Sequence, residues 1–459
     1  MDTISNLEAE VAIRETAPQL KPTNHLPKST NKLVIIGAGF AGLNLAHHLI
    51  NSAYEITIID QYNFHQFQPL FYQVATARLE PSAISFPLRK VFQRKKNIHV
   101  RNTKVREIDT EKQQVLTNDG TFDYNHLVIA MGCTTNYFGN KNIERHAYAM
   151  KSTMDAVAIR NRILLNFEEA LNATPYELEA IMNIVIVGGG PTGVEMAGAM
   201  AEMKKYVLPR DYPDMDFSGL NIYLLEGGAN TLAAMSKASQ QKSQYYLKRL
   251  GVHVWTNTTV EDYGGRTVKL KDGREIISSN LIWAAGVTGN VPKGIPAEVI
   301  VKGNRITVDE YCKVKGLDNV YAIGDIAYME TKDWPKGHPQ LANVATNVAK
   351  LLAKNFKAML NNKAIKPFVY KNPGTMATIG KRKAVVDLPF ISFQGFSAWF
   401  FWMALHLMLI LSVRNKFMVF INWAISYFTN DTTLRLILLP TKKQVELGIK
   451  HHSLEEDKK

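Results

Sequence analysis

Two stretches of the chain repeat one arrangement of apolar, small and polar positions. "NKLVIIGAGFAGLNLAHHLI" opens at Asn31 and "MNIVIVGGGPTGVEMAGAMA" at Met182; each is an apolar run, then three glycines, then a helix-like pattern. A short unbroken apolar run closed by glycine reads as a buried strand, so each stretch predicts strand, tight turn and helix. In the first unit a second strand follows in "EITIID", which ends at Asp60, roughly 20 residues past the middle glycine. In the second unit the corresponding strand is "LNIYLLE", ending at Glu226. The longer gap before it is filled by "KKYVLPRDYPDMDFSG", which reads as a helix extension and a loop. Further strands closed by small-residue turns are predicted in "FDYNHLVIAMG", "SNLIWAAG" and "GLDNVYAIGDIA".

The pattern changes near the C-terminus. "FSAWFFWMALHLMLILSV", residues 396–413, is an apolar run that would make a helix of about 27 Å, close to a bilayer span but short of a comfortable one. Arg414 and Lys416 interrupt it, and "FMVFINWAISYF" follows. There Asn415, Asn422, Ser426 and Thr429 fall on one helical face, and this narrow polar stripe with nearby Trp and Tyr fits a helix lying in a membrane interface. A buried core or dimer helix, and a single spanning helix near 396–413, stay open as readings.

Composition narrows the partners. The chain has 459 residues with 46% hydrophobic content, enough for two or three cores. Its 54 Lys and Arg against 41 Asp and Glu give a formal net charge of +13, which favours anionic partners. No zinc-finger spacing or aromatic-laced RNA-binding signature accompanies that charge, and the basic residues are scattered, so an anionic membrane surface is favoured over nucleic acid. Two distant cysteines, Cys133 and Cys312, offer neither a disulfide framework nor a redox or metal-binding pair, and no ligand cluster for a metal stands out. The first 31 residues, with Pro18, Pro22 and Pro27 and no secretory pattern, read as a flexible tail.

The glycine spacing carries chemistry. Gly37 permits the tight turn, Gly39 lets the backbone approach a pyrophosphate, and Gly42 lets helix and strand pack closely. Gly188, Gly190 and Gly193 repeat this in the second unit. A helix N-terminus then receives the phosphates. Asp60 and Glu226 would accept from ribose hydroxyls, although a strand-end turn residue is the plainer reading of Asp60. A carboxylate at Glu226 would repel a 2′-phosphate, which favours NADH over NADPH. Asp325, in the Gly324–Asp325 turn, can bind polyol hydroxyls of a flavin, yet such a pair is often only a turn.

With "FQPLFYQVATARLEPSAISFPLR", "MKSTMDAVAIRNRIL" and "RNKFMVFINWAISYF" added to the paired units, the chain from Lys32 to about Pro440 resembles the type II NADH dehydrogenases. These are single-chain, flavin-dependent, non-pumping NADH:quinone oxidoreductases on the cytoplasmic membrane face. The resemblance implies an α/β fold of two Rossmann-like dinucleotide-binding domains, the NAD domain inserted in the FAD domain, plus C-terminal amphipathic membrane-anchoring helices. It divides the chain into the 1–31 tail, an FAD domain in two parts at 32–153 and 289–388, an NADH domain at 154–288, and a membrane-associated segment at 389–459.

By the same resemblance, tightly bound, non-covalent FAD would meet Gly37, Ala38, Gly39, Phe40, Ala41, Gly42, Asp60, Gln61, Val105, Gly132, Asp325, Ala342 and Asn343. NADH would meet Gly188, Gly190, Gly193, Glu226 and Gly286. Glu195 matches a glutamate near the meeting point of nicotinamide, flavin and quinone, and Lys381 a nearby lysine. A carboxylate at a helix N-terminus is equally a helix-dipole partner, and Lys381 an ordinary exposed cation. Gln73, Asn343 and Asn347 are the candidate quinone residues. The family's AQxAxQ reads "ANVATN" here, so both glutamines are shortened by one methylene, and Met131 stands where Thr is common. Membrane menaquinone or ubiquinone is the implied acceptor, and a homodimer is left open. The rival reading on this architecture is an NADH-dependent reductase with a protein acceptor; disulfide and sulfide:quinone reductases are disfavoured by the cysteines.

Overall fold

The computed structural model describes residues 31–429 and 434–439. Most of the 1–31 tail and all of 440–459 lie outside the described residues. The first run of elements is β1 (Lys32–Ile36), α1 (Phe40–His48), β2 (Glu55–Asp60), α2 (Phe71–Ala75), β3 (Ile98–Asn102) and β4 (His126–Ile129). The second is β5 (Tyr148–Ala149), α3 (Thr153–Ala170), β6 (Asn183–Val187), α4 (Pro191–Glu202), β7 (Asn221–Leu225), β8 (Val252–Trp255) and β9 (Asn280–Trp283). The chain closes with β10 (Val320–Ala322), α5 (Ala342–Leu360), β11 (Thr375–Thr378), β12 (Ala384–Asp387), β13 (Ser392–Gly395), α6 (Phe396–Leu409) and α7 (Val413–Thr429).

Two five-stranded parallel sheets dominate, with strand orders β10-β4-β1-β2-β3 and β5-β9-β6-β7-β8. In each, the glycine-bearing strand is central, and the chain leaves it first toward one edge and later returns on the other side. That reversal opens a crevice at the carboxyl ends of the strands, beside the glycine turn. The first sheet takes β10 from beyond the second sheet, so the second unit is an insertion in the first. The two units are joined by a short antiparallel ribbon in which Cys133–Thr135 pairs with Val287–Gly289.

After their first residues, Lys32 and Asn183, the central strands β1 and β6 are wholly apolar, because parallel strands are covered on both faces. Leu33, Ile35, Ile56 and Ile58 are fully buried in the first unit, and Val185, Ile186 and Leu224 in the second. The segment predicted as helix extension and loop continues α4 through one wide helical turn at Met203–Val207 and a short helix at Leu208–Asp211 before β7. The start of α3 explains part of "MKSTMDAV": Ser152 accepts from the Asp155 amide and Asp155 from the Ser152 amide. Such a reciprocal cap is worth about 1 kcal/mol.

The antiparallel sheet β11-β12-β13 carries α6 and leads into α7. The apolar 396–413 run is not one helix. α6 stops at Leu409, which makes it about 21 Å long, and among the described residues no helix is long and apolar enough to cross a membrane. The polar stripe of α7 also differs from its expected setting. Asn415 is buried and its amide donates to the carbonyls of Ser82 and Ala83, so that position faces protein. The opposite faces leave Phe400, Met408, Phe417, Phe420 and Phe428 exposed.

Candidate active site

The two glycine turns are built alike. Gly37 has φ +98° and a Cβ there would lie 2.4 Å from the Ala130 carbonyl oxygen; Gly188 has φ +110° and would meet the Ala284 carbonyl oxygen at 2.8 Å. Gly42 and Gly193 each sit so close beneath the turn that a Cβ would lie 1.9 Å from the carbonyl oxygen of Gly37 or Gly188. Gly39 and Gly190 differ: nothing of the protein lies within 4 Å of where their Cβ would be. The middle glycine of each turn therefore fronts open space rather than protein, and the helix behind it begins without a side-chain cap or a first-turn acid. Uncapped N–H groups at a helix start suit a phosphate ligand.

Each cradle has its acid. Asp60 accepts from the Ala38 amide at 2.6 Å and the Tyr62 amide at 2.8 Å, and Glu226 from the Gly189 and Gly228 amides, both at 2.6 Å. Burial pushes the Asp60 carboxyl up, while those two amides pull it down. His65 was not foreseen. It is buried, its Nδ1 lies 2.8 Å from the Ala38 carbonyl, its ring stands edge-on to Phe40, and burial lowers its pKa to about 4.

The other first-unit candidates gather at the same ends of the strands. Gln61 follows β2 and is exposed, with its carbonyl accepting from Asn102, and Gly132 follows β4. Asp325 follows β10 in a turn whose Gly324 would press a Cβ against Ala41 at 3.0 Å. Burial raises the Asp325 carboxyl, opposed by the charges of Lys151 and Arg305. α5 packs along α1, with Ala342 and Asn343 at its own uncapped start; Asn343 accepts from the Tyr370 hydroxyl at 3.1 Å. Val105 is half-buried at the start of the strand Val105–Asp109. In the second unit Gly286 follows β9 with φ +75°, and Phe138 lies over it. The described residues contain no group of His, Cys, Asp and Glu able to hold a metal ion.

A third feature lies between α4, the β11–β12 turn and the C-terminal helices. A cavity is lined by Tyr72, Gln73 and Arg78 after β2, by Thr378, Gly380 and Lys381, and by Trp399, Trp402, Trp423 and Tyr427. Glu195 is buried beside it, accepting from the Thr378 amide at 3.3 Å. Burial dominates and raises this carboxyl to about 8, opposed by the Thr378 amide and the Trp402 indole. Glu202, two turns along α4, pairs with Arg78 and accepts from the Lys381 amide. The Lys381 ammonium donates to the last carbonyls of α7, including Ser426 at 2.8 Å, where a cation complements the helix dipole. It is therefore not an ordinary exposed cation. Gln73 joins this cavity, donating to the Tyr72 hydroxyl at 2.9 Å and accepting from the Trp423 indole at 2.7 Å. Asn347 is exposed, and neither it nor Asn343 is among the residues lining the cavity.

Sequence reasoning missed Tyr72, Arg78, Glu202, Thr378, Trp402 and Trp423. One signal was available: Glu202 lies seven residues after Glu195, hence on the same face of α4.

Two dinucleotide cradles at matching switch points, with a buried carboxylate near an aromatic cavity, define a flavoprotein of the two-dinucleotide-domain class. Residues 31–349 match the family profile described as pyridine nucleotide-disulphide oxidoreductase, and residues 373–430 that of the NDH2 C-terminal domain. Among curated proteins the chain is similar to two type II NADH:quinone oxidoreductases of Mycobacterium tuberculosis. It is 33% identical to Ndh over 429 residues, 90% of this chain and 91% of that one, and 35% identical to NdhA over 412 residues, 86% and 87%. The fold is that of NDH2 from Plasmodium falciparum in complex with NADH, with a TM-score of 0.82 at 23% identity over 89% of this chain and 100% of the other. The chain belongs to the type II NADH:quinone oxidoreductases.

Proposed function

We infer that this protein oxidises NADH and reduces a membrane quinone through FAD, without pumping protons. The observation that carries the reading beyond the family match is the cavity, with the buried acid Glu195 beside it, against helices whose outer faces are apolar. The residues of the two cradles fit their cofactors. Open space before Gly39 and the uncapped start of α1 suit the FAD pyrophosphate, and Asp60, Gln61, Gly132, Asp325, Ala342 and Asn343 surround the same crevice. When bound, the flavin supplies the two-electron relay between nicotinamide and quinone.

The second cradle would hold NADH, with Gly188, Gly190 and Gly193 at the pyrophosphate, Glu226 on the ribose hydroxyls, and Gly286 at the adjoining strand end. Residues 154–288 would form the NADH domain, with β5 (Tyr148–Ala149) at the edge of its sheet, between the FAD-domain pieces 32–153 and 289–388. Forming a quinol takes up two protons as well as two electrons. Glu195, held protonated near neutral pH by its burial, is the group that would hold such a proton at the cavity, with Lys381 fixing the C-terminal helices against the turn after β11. Gln73, shared between Tyr72 and Trp423, would orient the quinone ring.

Membrane association follows from α6 and α7 lying on the bilayer as a monotopic anchor at the cytoplasmic face, their exposed aromatic and aliphatic side chains entering the acyl boundary. The net positive charge supports anionic headgroups as the surface met. Steady NADH consumption by membranes containing the protein, dependent on added quinone, tests the reading. Reduction of a protein acceptor in preference to quinone would favour the rival reductase.

A further inference from the structure

Trp402 is almost fully buried in α6, 2% exposed, yet its indole N–H forms no hydrogen bond of good geometry with any described residue. A buried donor left unpaired is costly, so its position calls for a physical reason. Trp402 lines the same cavity as Thr378, whose amide donates to the Glu195 carboxyl at 3.3 Å, and the indole is among the groups that act on that carboxyl. Behind the indole, His406 stacks on it at 3.9 Å between ring centroids, with Nδ1 2.8 Å from the Trp402 carbonyl, which leaves the Trp ring little freedom to turn away. His406 is itself buried, and that burial lowers its pKa to about 4, so it brings no charge near neutral pH.

We propose that Trp402 is a positioning residue for Glu195: its indole N–H, delivered by the C-terminal helix, is the donor held ready for the carboxylate that remains when Glu195 gives up its proton. The role of Glu195 in this rests on the reading given above. A neutral carboxyl is satisfied by the Thr378 amide, and the indole then waits. An ionised carboxyl calls for a second donor beside the Thr378 amide. Other titratable groups around the cavity are Tyr72 from α2, whose hydroxyl is raised by burial and then by the Glu195 charge, and the cluster of Arg78 and Lys381 at Glu202, further along α4. Arg78 is engaged by Glu202 and the Lys381 ammonium by α7, so the uncommitted donors at the cavity are the Tyr72 hydroxyl, which accepts from Gln73, and the indole that α6 brings in. Docking of α6 is thereby coupled to proton release at the site.

The test uses the full-length, flavin-loaded protein. The infrared carboxyl stretch of protonated Glu195, assigned by its loss in Glu195→Gln, is titrated with pH in wild type and in Trp402→Phe. The substitution keeps an aromatic ring in the pocket and removes the N–H, so the midpoint should move upward by about one pH unit, as expected for losing one hydrogen bond to a charged group. Trp423→Phe, which removes the indole bonded to Gln73, should leave it in place. Flavin content and NADH-driven bleaching establish that each variant is folded. Should Trp402→Phe fail to fold, ultraviolet Raman of the wild type supplies the second readout: the indole hydrogen-bond band should strengthen across the same pH interval, and not in Glu195→Gln. An unmoved midpoint in the folded variant, or an indole band blind to the Glu195 titration, overturns the proposal. If the midpoint moves but quinone reduction ignores it, the coupling stands and the proton role of Glu195 falls.

Discussion

Glu195 and Glu202 stand two turns apart on one face of α4, and each accepts a backbone amide from the same hairpin, Thr378 for the first and Lys381 for the second. Only Glu202 has a cation against it, Arg78. Glu195 is left in an uncharged pocket, and burial raises its carboxyl to about 8 against an ordinary value of 4.5. One helix thus presents a paired structural carboxylate and an unpaired acid.

The raised acid predicts a stability trend. Between pH 4.5 and about 8 the folded chain holds a proton on Glu195 that the unfolded chain has lost. That stabilising contribution is full below pH 4.5 and is lost as the pH rises through about 8. Glu195→Gln keeps the shape and stays neutral, so its melting temperature relative to wild type should climb steadily from pH 5 to pH 9. A constant difference would mean that Glu195 is ionised throughout.

Arg78→Ala should be costly for the opposite reason. It leaves the buried Glu202 carboxylate without its cation, a loss of about 3–5 kcal/mol for a broken buried pair. Urea unfolding should show it, and adding Glu202→Gln should restore part of it. Equal stability of single and double variants would place the cost elsewhere.

The middle and last glycines of the first turn should separate binding from folding. Gly39 has φ −68° and open space before it, so Gly39→Val should give a folded protein without flavin. Gly42→Val drives a side chain into the Gly37 carbonyl and should compromise folding itself. Flavin absorbance and the melting curve read both. Normal flavin content in Gly39→Val would remove the pyrophosphate assignment.

Glu226→Ala should weaken NADH binding by 1–2 powers of ten, as expected for hydrogen bonds to a charged group, and narrow the preference over NADPH. Binding constants for both nucleotides decide this. An unchanged preference would take Glu226 off the ribose.

Phe400, Phe417 and Phe428 are 64%, 63% and 82% exposed on α6 and α7. Changing all three to Glu should release the protein from anionic vesicles in a flotation assay while NADH oxidation with a water-soluble quinone persists. Continued vesicle binding would assign anchoring to another surface.

Both cradles were legible because a glycine turn is a local device: its spacing and flanking strands lie within 29 residues in the first unit and 44 in the second, with Asp60 ending β2 and Glu226 directly following β7. The cavity was not, because its parts come from distant segments. Gln73 meets Trp423, and Arg78 meets Glu202, only after the second unit and the C-terminal helices have packed. The stripe on α7 shows the same limit. Periodicity placed Asn415 on a polar face correctly, but carbonyls of Ser82 and Ala83, 333 and 332 residues earlier, turn that face toward protein. The break after Leu409 was likewise not legible, since the apolar run itself continues to Val413.

The most direct test of the central claim is anaerobic stopped-flow of the flavin-loaded protein, mixed first with NADH or NADPH and then with a water-soluble quinone, following the flavin absorbance. The account predicts rapid bleaching with NADH, much slower bleaching with NADPH, and full return of absorbance when quinone is added. Bleaching that quinone does not reverse would contradict it.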